Sequence, residues 1–296
     1  MDSQSARAGG PSRRRTPLEA LADFLKFIRF SHTLFALPFA LGSMVVAAGG
    51  IPAWPVLPGV VAAMVFARTA AMTFNRIVDW EIDKRNPRTA GRHRLASKPR
   101  AIAACVLSSA GFIAAAWWLN PLCFALSPLA LGIVFFYSLT KRFTHFAQFY
   151  LGLALAVSPV GAWLAVRGEF ALPPLVLAAS VMVWVAGFDV IYASQDYEVD
   201  LREGLRSLVV RLGVPGALRL AVWLHAAAFL GLCAFGFSAG LGAGYTVALT
   251  AILAALIYEH LEARRGDLAA INRAFFQANV FVGVAFVAGT LFDSLV

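Results

Sequence analysis

Two short stretches of this chain carry carboxylates at helical spacing. The first reads Arg68-Thr-Ala-Ala-Met-Thr-Phe-Asn75-Arg-Ile-Val-Asp79-Trp-Glu-Ile-Asp83. Asn75, Asp79 and Asp83 are spaced by four. On a helix each such step drifts by only about 40° and rises about 6 Å. The three oxygen-bearing side chains then share one face, and Arg68, seven residues before Asn75, shares it too. The second stretch reads Asp189-Val-Ile-Tyr192-Ala-Ser-Gln-Asp196-Tyr-Glu-Val-Asp200. Asp196 and Asp200 repeat the spacing of four, and Asp189 falls within about 20° of the same line. Like charges at i,i+4 repel unless something positive lies between them. Oxygen-only donors select a hard divalent ion such as Mg²⁺. Two facing clusters of this kind can hold a pair of Mg²⁺ ions. Such a pair suits a diphosphate, because Mg²⁺ is usually bound by one or two carboxylates plus substrate phosphates.

Cations lie close to both stretches, in Lys84-Arg85-Asn86-Pro87-Arg88-Thr89-Ala90-Gly91-Arg92, in Tyr137-Ser-Leu-Thr-Lys141-Arg142 and in Gly204-Leu-Arg206-Ser207. Arg88, Arg92 and Lys141 are nearest in sequence to the motif-bearing helix ends and are the expected diphosphate ligands. The plain alternative for either carboxylate cluster is a solvated helix end. Two clusters, each closing an apolar run, argue against it, since ionisable groups at membrane depth are functional by default.

The elements that position these groups are apolar throughout. Of 296 residues 60% are hydrophobic and only 14% charged, about half the charged share of a soluble domain. The surplus must face lipid. Nine runs approach the roughly 20 residues that a spanning helix needs: 24–48, 56–78, 101–119, 122–139, 146–166, 173–194, 215–236, 241–261 and 274–294. Of 25 Lys and Arg, 23 fall in the tail with the start of the first run and in the even-numbered breaks; Arg167 alone lies in the odd ones, and Arg68 lies inside the second run. This asymmetry predicts nine transmembrane helices with the N-terminus cytoplasmic and the C-terminus outside. Both Asp stretches then lie on the cytoplasmic side, four spans apart. The net charge of +9 does not indicate nucleic acid, because the cations sit in short breaks and form no basic domain. Cys105, Cys123 and Cys233 are isolated in apolar runs and read as small buried hydrophobes. The polar start carries no cleaved-signal pattern. The chain thus divides into a disordered basic tail, 1–20, and a single transmembrane domain, 21–296.

With these residues in place the chain resembles the UbiA family of membrane prenyltransferases. The likeness rests on Asn75-x3-Asp79-x3-Asp83, Arg88-x3-Arg92, Tyr137-x3-Lys141 and Asp189-x6-Asp196-x3-Asp200 with Tyr192-Ala193 inside it. The opening Arg29-Phe30…Thr33-Leu-Phe-Ala-Leu-Pro38 adds to it. The resemblance implies an all-α bundle of nine helices around a central cavity, in a bacterial inner membrane, with a lateral opening to lipid. It implies an enzyme that moves a polyprenyl group from its diphosphate to an aromatic acid. Asn75, Asp79, Asp83, Asp196 and Asp200 would hold Mg²⁺ and diphosphate, with Asp189 beside them as base or as the group that orients a phenol. Arg88, Arg92 and Lys141 would bind phosphate oxygens, Arg68 the acceptor's carboxylate, and Tyr137, Tyr192 and Phe188 would line the path of an allylic cation. The expected acceptor is 4-hydroxybenzoate. The Asn75-Arg76 pair, where many relatives have Asn-Asp, and the run on to Arg92 also look like the branch that prenylates 1,4-dihydroxy-6-naphthoate. A transporter would place its charges at mid-membrane in inverted repeats. A CDP-alcohol phosphotransferase would need Asp-Gly-x2-Ala-Arg, which is absent.

Overall fold

Long stretches of Ala, Leu, Val and Phe with little interior charge leave the backbone no partner but itself, and in lipid only a helix satisfies it within one segment. The computed structural model describes residues 16–29, 33, 35–85, 89–265 and 268–296, and the regular structure in them is helical. A short helix α1 (Pro17–Phe27) precedes α2 (Leu37–Ala48). Then come α3 (Val56–Val78), the single turn and a half of α4 (Trp80–Arg85), α5 (Lys98–Leu119), α6 (Pro121–Thr140) and α7 (Ala147–Arg167). The second half has α8 (Leu172–Ala193), the short α9 (Tyr197–Arg202), α10 (Leu208–Ser238), α11 (Ala243–Arg264) and α12 (Leu268–Leu295). Pro or Asn-Pro opens several of them, where a missing N–H costs nothing.

Eight helices are long and apolar enough to cross a membrane: α3, α5, α6, α7, α8 with its continuation to Arg202, α10, α11 and α12. The chain is a multi-pass membrane protein. Large side chains such as Trp117, Trp118, Trp223 and Phe237 point outward on these helices, as lipid-facing residues do. The expected first span, 24–48, is not one helix. α1 ends at Phe27, Arg29 turns the chain with φ 49°, and α2 is only 12 residues long, or about 18 Å. α1 starts at Pro17, within the segment 1–20. A capping box starts it: the Thr16 hydroxyl accepts from the Glu19 amide and the Glu19 carboxylate accepts from the Thr16 amide.

The main core gathers Phe35, Phe39, Trp184, Phe188, Phe275 and Phe286 around α8. At one end of the bundle Asp293 caps α11, accepting from the amides of Gly242, Gly244 and Tyr245 at 2.7–2.9 Å. At the other end the loop after α6 is stitched to the loop before α10. There Arg206 N donates to the Lys141 carbonyl (2.8 Å) and the Arg206 guanidinium to that of Phe143 (3.0 Å). Close helix approach depends on small residues, as is usual in membranes. A Cβ on Gly152 of α7 would meet the carbonyl of Met182 on α8. Gly152→Ala is therefore expected to destabilise by about 1–3 kcal/mol, read as a lower thermal midpoint in detergent. An unchanged midpoint would mean that α7 and α8 separate without cost.

Candidate active site

The two Asp stretches close α3 and α8 at the same end of the bundle, and each helix changes course within its motif. α3 stops at Val78, Asp79 takes φ −90° and ψ 14°, and α4 resumes at Trp80. α8 stops at Ala193, a 3₁₀ turn covers Ser194–Asp196, and α9 follows. The expected unbroken helical face is thus interrupted twice. The hydrogen bonds from Asp79 N to Asn75 O and from Asp83 N to Asp79 O (2.9 and 2.8 Å) keep the first motif in register across its break. Breaks of this kind in otherwise regular helices often mark functional segments.

A cavity of about 250 Å³ lies between the two motifs. Asn75, Asp79, Asp83, Asp189, Asp196 and Asp200 all line it, as do Arg68, Arg92, Tyr137, Lys141 and Tyr192. Arg88 lies outside the described residues. The cavity therefore draws together every other expected site residue, from three chain segments, 68–92, 137–141 and 189–200. Phe188, on the same helix as Asp189 and Tyr192, lines it as well.

Its electrostatics are more heavily paired than the spacing alone indicates. Asp83 is held by Arg92 at 2.9 Å and by Arg76 at 3.3 Å. Arg142 meets Asp79 at 2.9 Å, and Lys141 meets Asp200 at 3.4 Å. Asn75 donates to Asp79 (3.2 Å) and accepts from Arg76 (3.4 Å). Burial raises the Asp79 carboxyl above its ordinary value despite the opposing pull of Arg142. For Lys141 burial acts downward, but Asp200, Asp189 and Asp196 outweigh it and the ammonium is stabilised. Burial, with Arg76 and Arg29 nearby, brings Arg92 down to about 10, which still leaves it charged at neutral pH.

Three of these cations, Arg29, Arg76 and Arg142, were not expected as site residues. Each lines the cavity. Arg29 donates to the Tyr192 hydroxyl at 2.9 Å and stacks 5.8 Å from its ring centroid. The signal for Arg76 was its place in the motif itself. Arg142 stood beside Lys141 and Arg29 in the opening Arg29-Phe30, but no spacing tied either to the Asp motifs.

The donor set fits a hard divalent cation. Among the described residues the cavity presents carboxylate oxygens from both motifs, with the Asn75 amide, and no imidazole or thiol. Among the described residues no three acidic, His or Cys groups close into a ready cage. That matches the Mg²⁺ habit of taking few protein ligands and completing its shell with water and phosphate. A second, apolar cavity of about 440 Å³ adjoins the first. Arg68, Tyr137, Leu151 and Leu155 line both. The second runs between α3, α5, α6 and α7 to Leu119, Cys123, Phe170 and Leu175. Arg68 thus stands where polar and apolar spaces meet, and its Nε has no hydrogen-bond partner among the described residues. The arrangement has room for a charged head among the carboxylates and an apolar tail running toward the opposite end.

Comparison with known proteins agrees. A profile of the UbiA prenyltransferase family matches residues 36–283. The chain is 30% identical over 285 residues to a protein of Vibrio atlanticus named 4-hydroxybenzoate octaprenyltransferase, covering 93% of this chain and 97% of the relative. Its fold matches an apo structure of a UbiA homolog from Aeropyrum pernix K1 with a TM-score of 0.81 and 33% identity, over 88% of this chain and 98% of that one. It also matches a UbiA homolog from Archaeoglobus fulgidus bound to DMAPP and Mg²⁺, with a TM-score of 0.65 over 90% of this chain and 99% of that one. At 19% identity this last likeness is one of fold.

Proposed function

The chain belongs to the UbiA prenyltransferase family and is a prenyl-transferring enzyme; on that premise we propose that it moves a polyprenyl group from polyprenyl diphosphate to 4-hydroxybenzoate. The observation that carries this reading is the pair of joined cavities, one lined by carboxylates and cations, the other apolar, with Arg68 at their junction. The names of the curated relatives favour 4-hydroxybenzoate. The Asn75-Arg76 pair, with Arg76 bound to Asp83, favours 1,4-dihydroxy-6-naphthoate as a second acceptor. Both acceptors carry a carboxylate for Arg68.

Asn75, Asp79, Asp83, Asp196 and Asp200 hold Mg²⁺ in this reading, and the metal, when bound, screens the charge that grows on the departing diphosphate. Arg92 and Lys141, with Arg88, take the phosphate oxygens. UbiA homologs from Archaeoglobus fulgidus bound to DMAPP or GPP with Mg²⁺ support a prenyl diphosphate and a divalent ion as ligands in this reading. The bond from the prenyl C1 to the bridging oxygen breaks, and its electron pair leaves on the diphosphate. Phe188, Tyr137 and Tyr192 present ring faces to the allylic cation. Asp189 takes the phenol proton, which enriches the ring. The ring carbon beside the phenol carbon bonds to C1, and its hydrogen then passes as a proton to the released diphosphate, which restores aromaticity. The apolar wall excludes water that would otherwise capture the cation.

In this reading α2 belongs to a ninth crossing beside the eight long helices, with the N-terminus in and the C-terminus out. The site then faces the cytoplasm of a bacterial inner membrane. One domain, following a basic tail, carries the whole activity. Purified enzyme supplied with labelled polyprenyl diphosphate and each acceptor in parallel tests the reading. Product is expected with 4-hydroxybenzoate, and chelation of the divalent ion should lower the rate by about 10³-fold or more. Turnover that is unaffected by chelation would overturn the metal assignment; product from the naphthoate alone would reassign the acceptor.

A further inference from the structure

A second group of buried polar side chains lies behind α8, away from the cavity. His225 of α10 and Glu259 of α11 are 2% and 1% exposed, and Asn279 of α12 is fully buried. An ionisable pair inside spanning helices costs several kcal/mol unless it is neutral or partnered. Here the partnering is specific. Asn279 Nδ2 donates to Glu259 Oε1 at 3.1 Å and to the Phe275 carbonyl at 2.7 Å. The His225 ring stands 3.3 Å from the Trp184 carbonyl through Nε2, and its Nδ1 lies 3.8 Å from Glu259 Oε2. A neutral imidazole with its proton on Nε2 donates to Trp184, while Nδ1 and Glu259 Oε2 face each other beyond hydrogen-bond distance, each without a hydrogen-bond partner among the described residues.

Both ends of this network reach the cavity wall. On α8, the ring of His225 is packed so closely on Gly187 that a Cβ there would run into it. Phe188 and Asp189 follow directly. On α12, the carbonyl gripped by Asn279 belongs to Phe275. The Phe275 ring lines the cavity, 4.8 Å from the Tyr192 ring and 5.4 Å from that of Phe188. Tyr192 in turn accepts from Arg29, a non-glycine residue held at φ 49°. Such a backbone persists only when its surroundings over-determine it. Polar contacts between membrane helices commonly serve as general glue. Glue alone, however, does not require both ends of the network to terminate on residues of one cavity wall.

We infer that His225, Glu259 and Asn279 are positioning residues for prenyl transfer, setting the Phe188–Tyr192–Phe275 wall beside Asp189 and, through Tyr192, the guanidinium of Arg29. This rests on the reaction proposed above. The network holds the aromatic wall at the depth of Asp189 while the diphosphate end is fixed separately by the α3–α4 and α8–α9 breaks. Disturbing it shifts acceptor binding and spares the donor.

The test uses Glu259→Gln, Glu259→Leu and Asn279→Ala in full-length purified enzyme. Glu259→Gln keeps an acceptor for Asn279 and an N–H for His225 Nδ1, so its kinetics should stay close to wild type. Glu259→Leu and Asn279→Ala should raise the KM for 4-hydroxybenzoate about tenfold with the KM for polyprenyl diphosphate unchanged, the size expected of a sub-ångström misplacement. Amide hydrogen exchange over residues 186–192 should quicken in the same two variants. If Glu259→Leu does not insert, Asn279→Ala alone reads the effect. Equal loss in Glu259→Gln and Glu259→Leu, or a parallel rise in both Michaelis constants, would sink the proposal. If wild-type enzyme transfers to neither acceptor, the reaction reading fails, and hydrogen exchange still decides whether the network positions α8: exchange unchanged in both variants would show that it does not.

Discussion

Asp196→Ala and Asp79→Ala are each expected to cut prenyl transfer by more than about 10³-fold while the protein remains inserted and folded. The size follows from charge. A unit charge about 4 Å from a cation, at the effective dielectric of a protein surface, interacts by roughly 4 kcal/mol, and that corresponds to nearly a thousandfold in rate. Both residues line the same cavity from different helices, so either change takes a negative charge from one side of the proposed Mg²⁺ site. Asp79 is bridged to Arg142 at 2.9 Å, so its removal also frees a guanidinium beside the donor. Asp196→Asn keeps the shape and discards the charge. It should lose nearly as much as Asp196→Ala if the carboxylate binds metal. Turnover is measured with labelled polyprenyl diphosphate over a range of Mg²⁺ concentrations. Partial recovery of the variants at high Mg²⁺ would support a weakened ion site, and wild-type turnover by either alanine variant would remove the assignment.

What could be read from the residues alone divides along a physical line. Spans and motif positions depend on local pattern, and the apolar runs and the four-residue Asp spacing are local. The broken first run was harder to see. Residues 24–48 are apolar almost throughout, and composition does not register a backbone turn. Arg29 and Pro38 were the available signs, since Pro favours a helix start and restricts the residue before it. The breaks at Asp79 and at Ser194–Asp196 were hidden because a turn near helical geometry keeps the side-chain period. Partners were least legible. Arg142 reaches Asp79 across 63 residues, and Arg29 reaches Tyr192 across 163. No spacing rule links residues so far apart. His225 and Glu259 did carry a sign, being ionisable groups within apolar runs. Their distance from the Asp motifs concealed that they brace the same helix.

Arg68→Ala is expected to raise the acceptor's KM by about 30- to 100-fold, a loss of roughly 2–3 kcal/mol for a charge-assisted hydrogen bond in a partly desolvated site, with the donor's KM nearly unchanged. Position supports the asymmetry. Arg68 stands on α3 two helical turns before Asn75, at the junction of the two cavities, whereas the cations paired with the carboxylates, Arg92 and Lys141, gather at the motif ends. Its fork, with Nε unpartnered among the described residues, is suited to a planar carboxylate. Arg68→Lys keeps the charge, loses the fork and should fall between wild type and alanine. The decisive comparison removes the other partner. Phenol lacks the carboxylate of 4-hydroxybenzoate, so wild-type enzyme should handle phenol about as poorly as Arg68→Ala handles 4-hydroxybenzoate. Combining the two changes should add little, because a contact that is already missing cannot be lost again. Full additivity, or a rise in the donor's KM in Arg68→Ala, would place this guanidinium on the diphosphate instead.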